Sequence, residues 1–347
     1  MRTTLCVSAI ALMGLAACST PGINYETRLM PASVDAAATR VVQVDRFRGP
    51  GGGWYTARFE SMLANTTLDG QPWFQLADFI YDDLGESRAG TYTGNINIID
   101  HRVSEYYRTV SKCVEWDGLF DCETRIDVEE LCISEEVEVA VEPRLIDVDS
   151  GQAIFSGVYA GTASDEVCEE PHRHRGHHGR GGGLFSFGGF TPDPSLVYSA
   201  LSETLRPIRY DIAPRNATVK ATFVTEALDP VVAADPRFEQ AVDMAANDPF
   251  GSCNTWTALA DQYPEAPAVM HNMGACAEAS TDFDAAHGLY ARAAELSVKY
   301  SADGTSAGGA FLKALRKMSD QRHGLELIEE LSNPGDYMPV PEVLPES

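Results

Sequence analysis

Four histidines fall within seven residues, at His172, His174, His177 and His178, with Arg173, Arg175 and Arg180 interleaved among them. Imidazoles at that density could ligate zinc, nickel or copper. Gly179, Gly181, Gly182, Gly183, Gly188 and Gly189 surround the cluster, so a solvated insertion lying against an acidic body explains the same residues without a metal. Such a segment becomes more cationic as the pH falls. A second group, Gly49-Pro50-Gly51-Gly52-Gly53, stands between a strand-like and a helix-like run, where a phosphate-cradling loop would sit. Trp54 takes the place of that loop's third glycine and no Gly-Lys-Ser/Thr follows, which leaves a strand-to-helix turn. No HExxH or SxxK spacing occurs. The carboxylate pairs Glu129-Glu130, Glu135-Glu136 and Glu169-Glu170 carry little information in so acidic a chain. A protein with no catalytic residues and no cofactor is expected.

Cysteine is the other reactive side chain. Cys18 stands behind Leu15-Ala16-Ala17 at the end of an apolar run from Leu5, with Arg2 in front, which is the layout of an export signal. The run is too short to cross a bilayer. These residues resemble the lipobox of bacterial lipoproteins. The resemblance implies that residues 1–17 are removed, that the Cys18 thiol is acylated, and that Ser19 directs the product to the periplasmic face of the outer membrane. It also implies an oxidising compartment, in which cysteines pair.

Cys113, Cys122, Cys132, Cys168, Cys253 and Cys276 remain once the signal and the lipidated cysteine are set aside. Asp117-Gly118 reads as a two-residue hairpin turn, and its centre is equidistant from Cys113 and Cys122. Ser150, in the turn Val148-Asp149-Ser150-Gly151-Gln152, is midway between Cys132 and Cys168. Opposed strand residues lie about 4.5–5.5 Å apart, within disulfide reach. Both pairs are therefore expected to be bridged across a ladder. No CxxC occurs, so a zinc site is the weaker reading.

Among 347 residues, 51 acidic side chains face 26 basic ones. A surface this negative repels nucleic acid and anionic headgroups, so the acyl chains must hold the protein at a membrane. The elements expected to carry the cysteines begin near Arg40. Val41, Val42 and Val44 with Phe47 make a first strand, and Tyr55, Phe59, Met62 and Leu63 mark a helix. A strand over 73–79 follows, then a meander of three long strands over 91–110, 126–148 and 152–167. Asp193-Pro194 opens a helix predicted to stop at Pro207, and a last strand covers 217–225. The fold class expected is α+β, a mixed sheet with flanking helices, followed by a C-terminal all-α helical-repeat domain. The boundaries are 18–35 for a flexible tether, 36–228 for the α/β domain with the insertion at 169–192, 235–331 for the repeats and 332–347 for a frayed tail.

In the C-terminal part, Met270, Met273, Gly274, Ala277, Ala286, Tyr290 and Ala293 sit at the offsets of a 34-residue tetratricopeptide repeat, which this segment resembles. Met273, Gly274, Ala286, Tyr290 and Ala293 are then the helix-packing positions, Trp256 matches Tyr290 one repeat upstream, and a turn at Gln321 separates two further helices. Cys253 and Cys276 fall on neighbouring helices of such a stack and are expected to be joined. The α/β part resembles the curli-assembly lipoprotein family (CsgG-type) through the strand Val41 to Phe47, the segment Leu68-Asp69-Gly70 with Pro72 to Phe79, and the strand-turn Pro143-Arg144-Leu145-Ile146-Asp147-Val148-Asp149-Ser150-Gly151. That family includes secretion pores. Asp100, His101, Glu105, Arg108, Lys112, Glu115, Asp121, Glu123, Arg125, Asp127, Glu129 and Glu130 crowd the hairpins that would cross a membrane, which argues against a barrel.

These readings converge on an outer-membrane-anchored periplasmic lipoprotein that binds envelope proteins as a non-enzymatic scaffold or activator in assembly or secretion. A ring-forming curli-type secretion component is the second reading, and metal binding by the histidine segment the third. No nucleic acid partner is expected, membrane attachment is through lipid alone, and self-association is left open.

Overall fold

The computed structural model describes residues 20–77, 89–117, 121–169, 191–303 and 307–333. Cys18 with its signal, the histidine cluster and most of the tail lie outside them. In chain order the elements are β1 (Gly22–Leu29), α1 (Val34–Ala38), β2 (Val41–Val44), α2 (Gly52–Ala64), β3 (Thr67–Leu68), β4 (Gln71–Pro72) and β5 (Gln75–Leu76). Then come β6 (Ala89–Asp117), β7 (Asp121–Asp147), β8 (Ala153–Ser156), β9 (Tyr159–Glu169), α3 (Pro194–Ile212) and β10 (Arg215–Thr222). The rest is helical: α4 (Pro230–Ala233), α5 (Pro236–Met244), α6 (Pro249–Gln262), α7 (Pro267–Ala279), α8 (Phe283–Ser297) and α9 (Ala307–Ser332). Two compact units result, Met30–Arg215 with Leu327–Ser347, and Met1–Leu29 with Asn216–Glu326.

The first unit is a mixed sheet in the order β5-β2-β6-β7-β8, with β9 also paired to β7. β2 runs parallel to β5 and β6, and the remaining pairs are antiparallel. Alternation explains why only one face is covered: Tyr92, Gly94 and Ile96 are buried, whereas Asn95 and Asn97 are exposed. Tyr55, Phe59 and Leu63, one helical face of α2, are fully buried with Phe47, Tyr92 and Ile96 in the same core. Gly49, at φ 108°, makes the turn into α2, and a side chain there would lie 2.1 Å from the Ile96 carbonyl oxygen. The glycine run therefore serves backbone geometry. On the same face, Gly161 of β9 lets α3 approach so closely that a Cβ would meet the Ala200 oxygen at 2.0 Å.

Asp193 caps α3 as expected, accepting from the Ser195 N–H. The helix does not stop at Pro207 but runs through it to Ile212. An interior proline costs about 3 kcal/mol, yet the extra turn buries Ile208 and Ile212 completely. Two such side chains contribute about 1.5–3 kcal/mol each, so burial wins. Asp-Pro also opens α4, α5 and α6, with Asp229, Asp235 and Asp248 each accepting from a first-turn N–H.

The second unit corrects three expectations. Residues 22–29 are not tether but strand β1, paired with β10 in a two-stranded sheet apart from the main one. The 217–225 strand thus leaves the α/β domain, whose boundary moves to Arg215. Alternating Ile23, Tyr25 and Thr27 give β1 a buried side, and Tyr25 is 6% exposed. The turn foreseen at Gln321 is absent because no proline interrupts α9. The Gln321 side-chain amide donates to Thr27 Oγ1 and the Arg28 carbonyl. Ala286, Tyr290 and Ala293 are buried, Met273 is partly buried, and a Cβ on Gly274 would stand 2.9 Å from the Tyr290 ring.

Candidate functional site

The first unit extends β6 and β7 far past its core. Helix α3 begins where the Asp193 N–H donates to Glu135, and past that rung Cys132 is the only fully buried side chain on the two strands. From Asp100 to Asp117 and from Asp121 to Glu138 the ladder continues as an arm, about 60 Å long at roughly 3.3 Å per residue. β9 follows it as far as the pair Leu131–Glu169, after which only two strands remain among the described residues. Isolated two-stranded ribbons are marginally stable. Here the ribbon carries cross-links.

Two disulfides supply them. Cys132 and Cys168 are directly opposed, with Cα atoms 4.0 Å apart, and Ser150 is indeed the midpoint of their ladder. The Cys113–Cys122 bridge also forms, with Cα atoms 5.8 Å apart, but not by the geometry expected. The last rung is Asp117–Asp121, so the connection is longer than Asp117-Gly118, and Cys113 faces Arg125 while Cys122 faces Trp116. Register shifts around Glu115 bend the strands and bring the two sulfurs together. In the second unit Cys253 of α6 joins Cys276 of α7, with Cα atoms 5.7 Å apart.

Both faces of the arm are accessible. One carries Val103, Glu105, Tyr107, Leu131 and Ile133, with Tyr107 67% exposed; Trp116, near the end of the arm, is 62% exposed. The other carries a chain of charges around the Cys132–Cys168 bridge. Lys112 meets Glu130 at 2.8 Å, Arg108 meets Glu130 at 3.3 Å and Glu166 at 3.0 Å, and the Tyr106 hydroxyl donates to Glu166. Lys112 holds the Glu130 carboxyl below its usual range, and the bond to Glu166 raises the Tyr106 hydroxyl. Exposed pairs of this kind contribute less than about 1 kcal/mol each; what they fix is the orientation of side chains on the surface. Asp100 to Glu138 holds 12 acidic and four basic residues. Neither face offers the apolar alternation over about 9–11 residues that a membrane strand needs.

The second unit holds an extended segment in a manner not foreseen from sequence. Asn272 of α7, fully buried, accepts from the Val224 N–H at 2.9 Å and donates to the Val224 carbonyl at 3.0 Å. His271 Nε2 donates to the Thr222 carbonyl at 3.1 Å, and Phe223 packs edge-on against Trp256. These α7 side chains therefore grip this chain's own backbone. Glu278 anchors β1 to the helices. It is 2% exposed and accepts from the hydroxyls of Tyr25 (2.7 Å) and Tyr290 (2.6 Å) and from Lys317 Nζ (2.7 Å). A buried Asn and Glu among Met270, Met273, Ala275 and Ala277 were the available sequence signal.

Burial pushes the His271 imidazole down to about 4, although its bond to Thr222 and the Glu278 charge act the other way. The unfolded chain takes up this proton near pH 6.5, so the stability given by a neutral His271 is present above that value and lost as the pH falls toward 4. The loss amounts to about 3 kcal/mol. His271→Phe should flatten that limb of a denaturation-versus-pH curve; a limb of unchanged slope would contradict the assignment. Asp235, held at about 2 by Arg237, titrates in a separate, lower window.

Little in the described residues resembles a small-molecule site. One hollow of about 640 Å³ is lined by Ser33, Ile154, Tyr159 and Asp211, and another of about 550 Å³ by Arg46, Arg48 and Thr93. Tyr159 donates to Asp211 at 2.6 Å in the first. Cys132, Glu166 and Cys168 lie together, but the two sulfurs are bonded to each other. The candidate ligands His172, His174, His177 and His178 lie outside the described residues.

No family model matches the chain, and no curated protein matches it. A solved structure from Helicobacter pylori, described as a neuraminyllactose-binding hemagglutinin homologue, is similar at 12% identity and a TM-score of 0.26, covering 49% of this chain and 81% of that one.

Proposed function

We propose that the protein is an outer-membrane lipoprotein, anchored through acylated Cys18 on the periplasmic face, that acts without catalysis as a protein-binding scaffold or activator in envelope assembly or secretion. The arm is the observation that carries this reading. Its two accessible faces mix aromatic, β-branched and charged side chains, the composition of a recognition surface more than of a membrane wall. Disulfides hold it outside the core, and ordering it in advance lowers the entropic cost of binding. The lipobox-like residues give the anchor, which raises the local concentration of the arm for partners at the same surface.

In this reading the α/β unit is the curli-assembly-type domain and the helices are a short tetratricopeptide-like array. Trp256 and Tyr290, one 34-residue repeat apart, are both buried, which supports the latter. The helices serve structure, because Asn272 and His271 already hold residues 222–224. A variant with residues 109–129 replaced by Asn-Gly, closing the ladder at the opposed pair Arg108 and Glu130, should keep its fold and the Cys132–Cys168 bridge. It should lose the proteins that cross-link to the native chain in intact cells. An unchanged set of cross-linked partners would refute the scaffold reading.

A further inference from the structure

We propose that two copies of this chain pair edge to edge along β6, forming a two-fold symmetric antiparallel ribbon from two arms. The outer edge of β6 is paired with β2 only over Val41–Val44 and bridged once at Arg48–Asn95. From residue 97 to 117 no described strand lies beside it. An edge that long is a template for another strand unless charge, proline or twist protects it.

The sheet's other long open edges are protected. On β7, residues 121–130 carry Asp121, Glu123, Asp127, Glu129 and Glu130 against one base, Arg125. β9 carries Asp165, Glu166 and Glu169 and no base. Two copies meeting on either edge would bring carboxylates together. β6 differs: over 100–112 it has Asp100 and Glu105 with Arg102, Arg108 and Lys112, and it contains no proline.

Backbone phase identifies the groups that would bond. Gly94 O and Ile96 N point outward, to Arg48. The bulge at Ile99 shifts the register by one, so beyond it the outward N–H and C=O groups belong to His101, Val103, Glu105, Tyr107, Thr109 and Ser111. Charge then selects the register. With Tyr106 on the two-fold axis, Asp100 faces Lys112 of the second copy at both ends, Ser104 faces Arg108, and Glu105 faces Tyr107. Sliding by one two-residue step sets Arg102 against Arg108 in one direction and against Lys112 in the other.

The pairing does not rest on the scaffold reading, since a dimer forms whether or not a third protein binds. The test is sedimentation of the full acylated chain in detergent, alone and as variants. Glu105→Pro removes one outward N–H and leaves the bonds to β7 in place, because edge strands accept proline there. The native chain should sediment as a dimer and Glu105→Pro as a monomer. Asp100→Lys and Lys112→Glu should each weaken the dimer about tenfold through like-charge contacts, and the double variant should recover most of the loss. A native monomer, a closed ring, a dimer indifferent to Glu105→Pro, or a double variant no tighter than the singles would each overturn the proposal. Partner cross-linking is a separate readout, so its failure is distinguishable.

Discussion

Glu278→Ala should destabilise the helical unit by about 2–4 kcal/mol, mostly the cost of leaving two buried hydroxyls without their acceptor. The carboxylate is 2% exposed and receives three donors from three elements, Tyr25 on β1, Tyr290 on α8 and Lys317 on α9. Truncation strands two hydroxyls where water has poor access, while the half-exposed Lys317 ammonium can turn to solvent. Burial alone holds both tyrosine hydroxyls above their usual range, so neither ionises to replace the lost charge. Glu278→Gln keeps the size and one acceptor oxygen and should cost less. Tyr25→Phe removes one bond and should cost about 1 kcal/mol. Urea denaturation of the three variants checks the order; an Ala variant within 1 kcal/mol of the native chain would mean that β1 is not held as described.

Replacing both Cys132 and Cys168 by Ala should loosen the arm more than any other pair of substitutions. The bridge spans 36 residues of sequence, and closing a loop of that length restricts the unfolded chain by about 4 kcal/mol on the entropic model. The 9-residue separation of Cys113–Cys122 gives about 2.5 kcal/mol on the same model. The location matters as much as the magnitude. Among the described residues Cys132 is the only fully buried one beyond the root of the arm, so few contacts substitute for it. Amide exchange should accelerate strongly at 164–169 and 128–134 and hardly at all at Tyr92 or Val141 in the core. Uniform acceleration would show instead that the bridge holds the whole unit.

Local patterns in this sequence report the elements faithfully, and longer-range pairing is where reading ends. The stripe Tyr55, Phe59, Leu63 and the Asp193-Pro194 start are legible because capping and helical periodicity act within a few residues. The Cys132–Cys168 bridge is legible because its ladder keeps one register about Ser150. The Cys113–Cys122 bridge is foreseen for an inexact reason, since its geometry depends on bulges that leave no mark in residue type. Pro207 misleads because a local penalty is outweighed by the burial of Ile208 and Ile212. β1 is hidden in a stretch of mixed polarity, and only its partners, β10 and Glu278, reveal it as a strand. The full length of the arm is hidden for a related reason: its alternation serves no core beyond the root, so the strands read as ending at Val110 and beginning at Ile126, short of their observed ends at Asp117 and Asp121.

The central claim is that the arm, and not the helical unit, meets other proteins. Photo-activated cross-linking in intact cells tests it most directly, with the reactive side chain placed at Tyr107 or Trp116 on the arm, or at Phe250, the most exposed large apolar residue of the helical unit among those described. Discrete adducts from the two arm positions and none from Phe250 are predicted. Adducts from Phe250 with none from the arm would contradict the account.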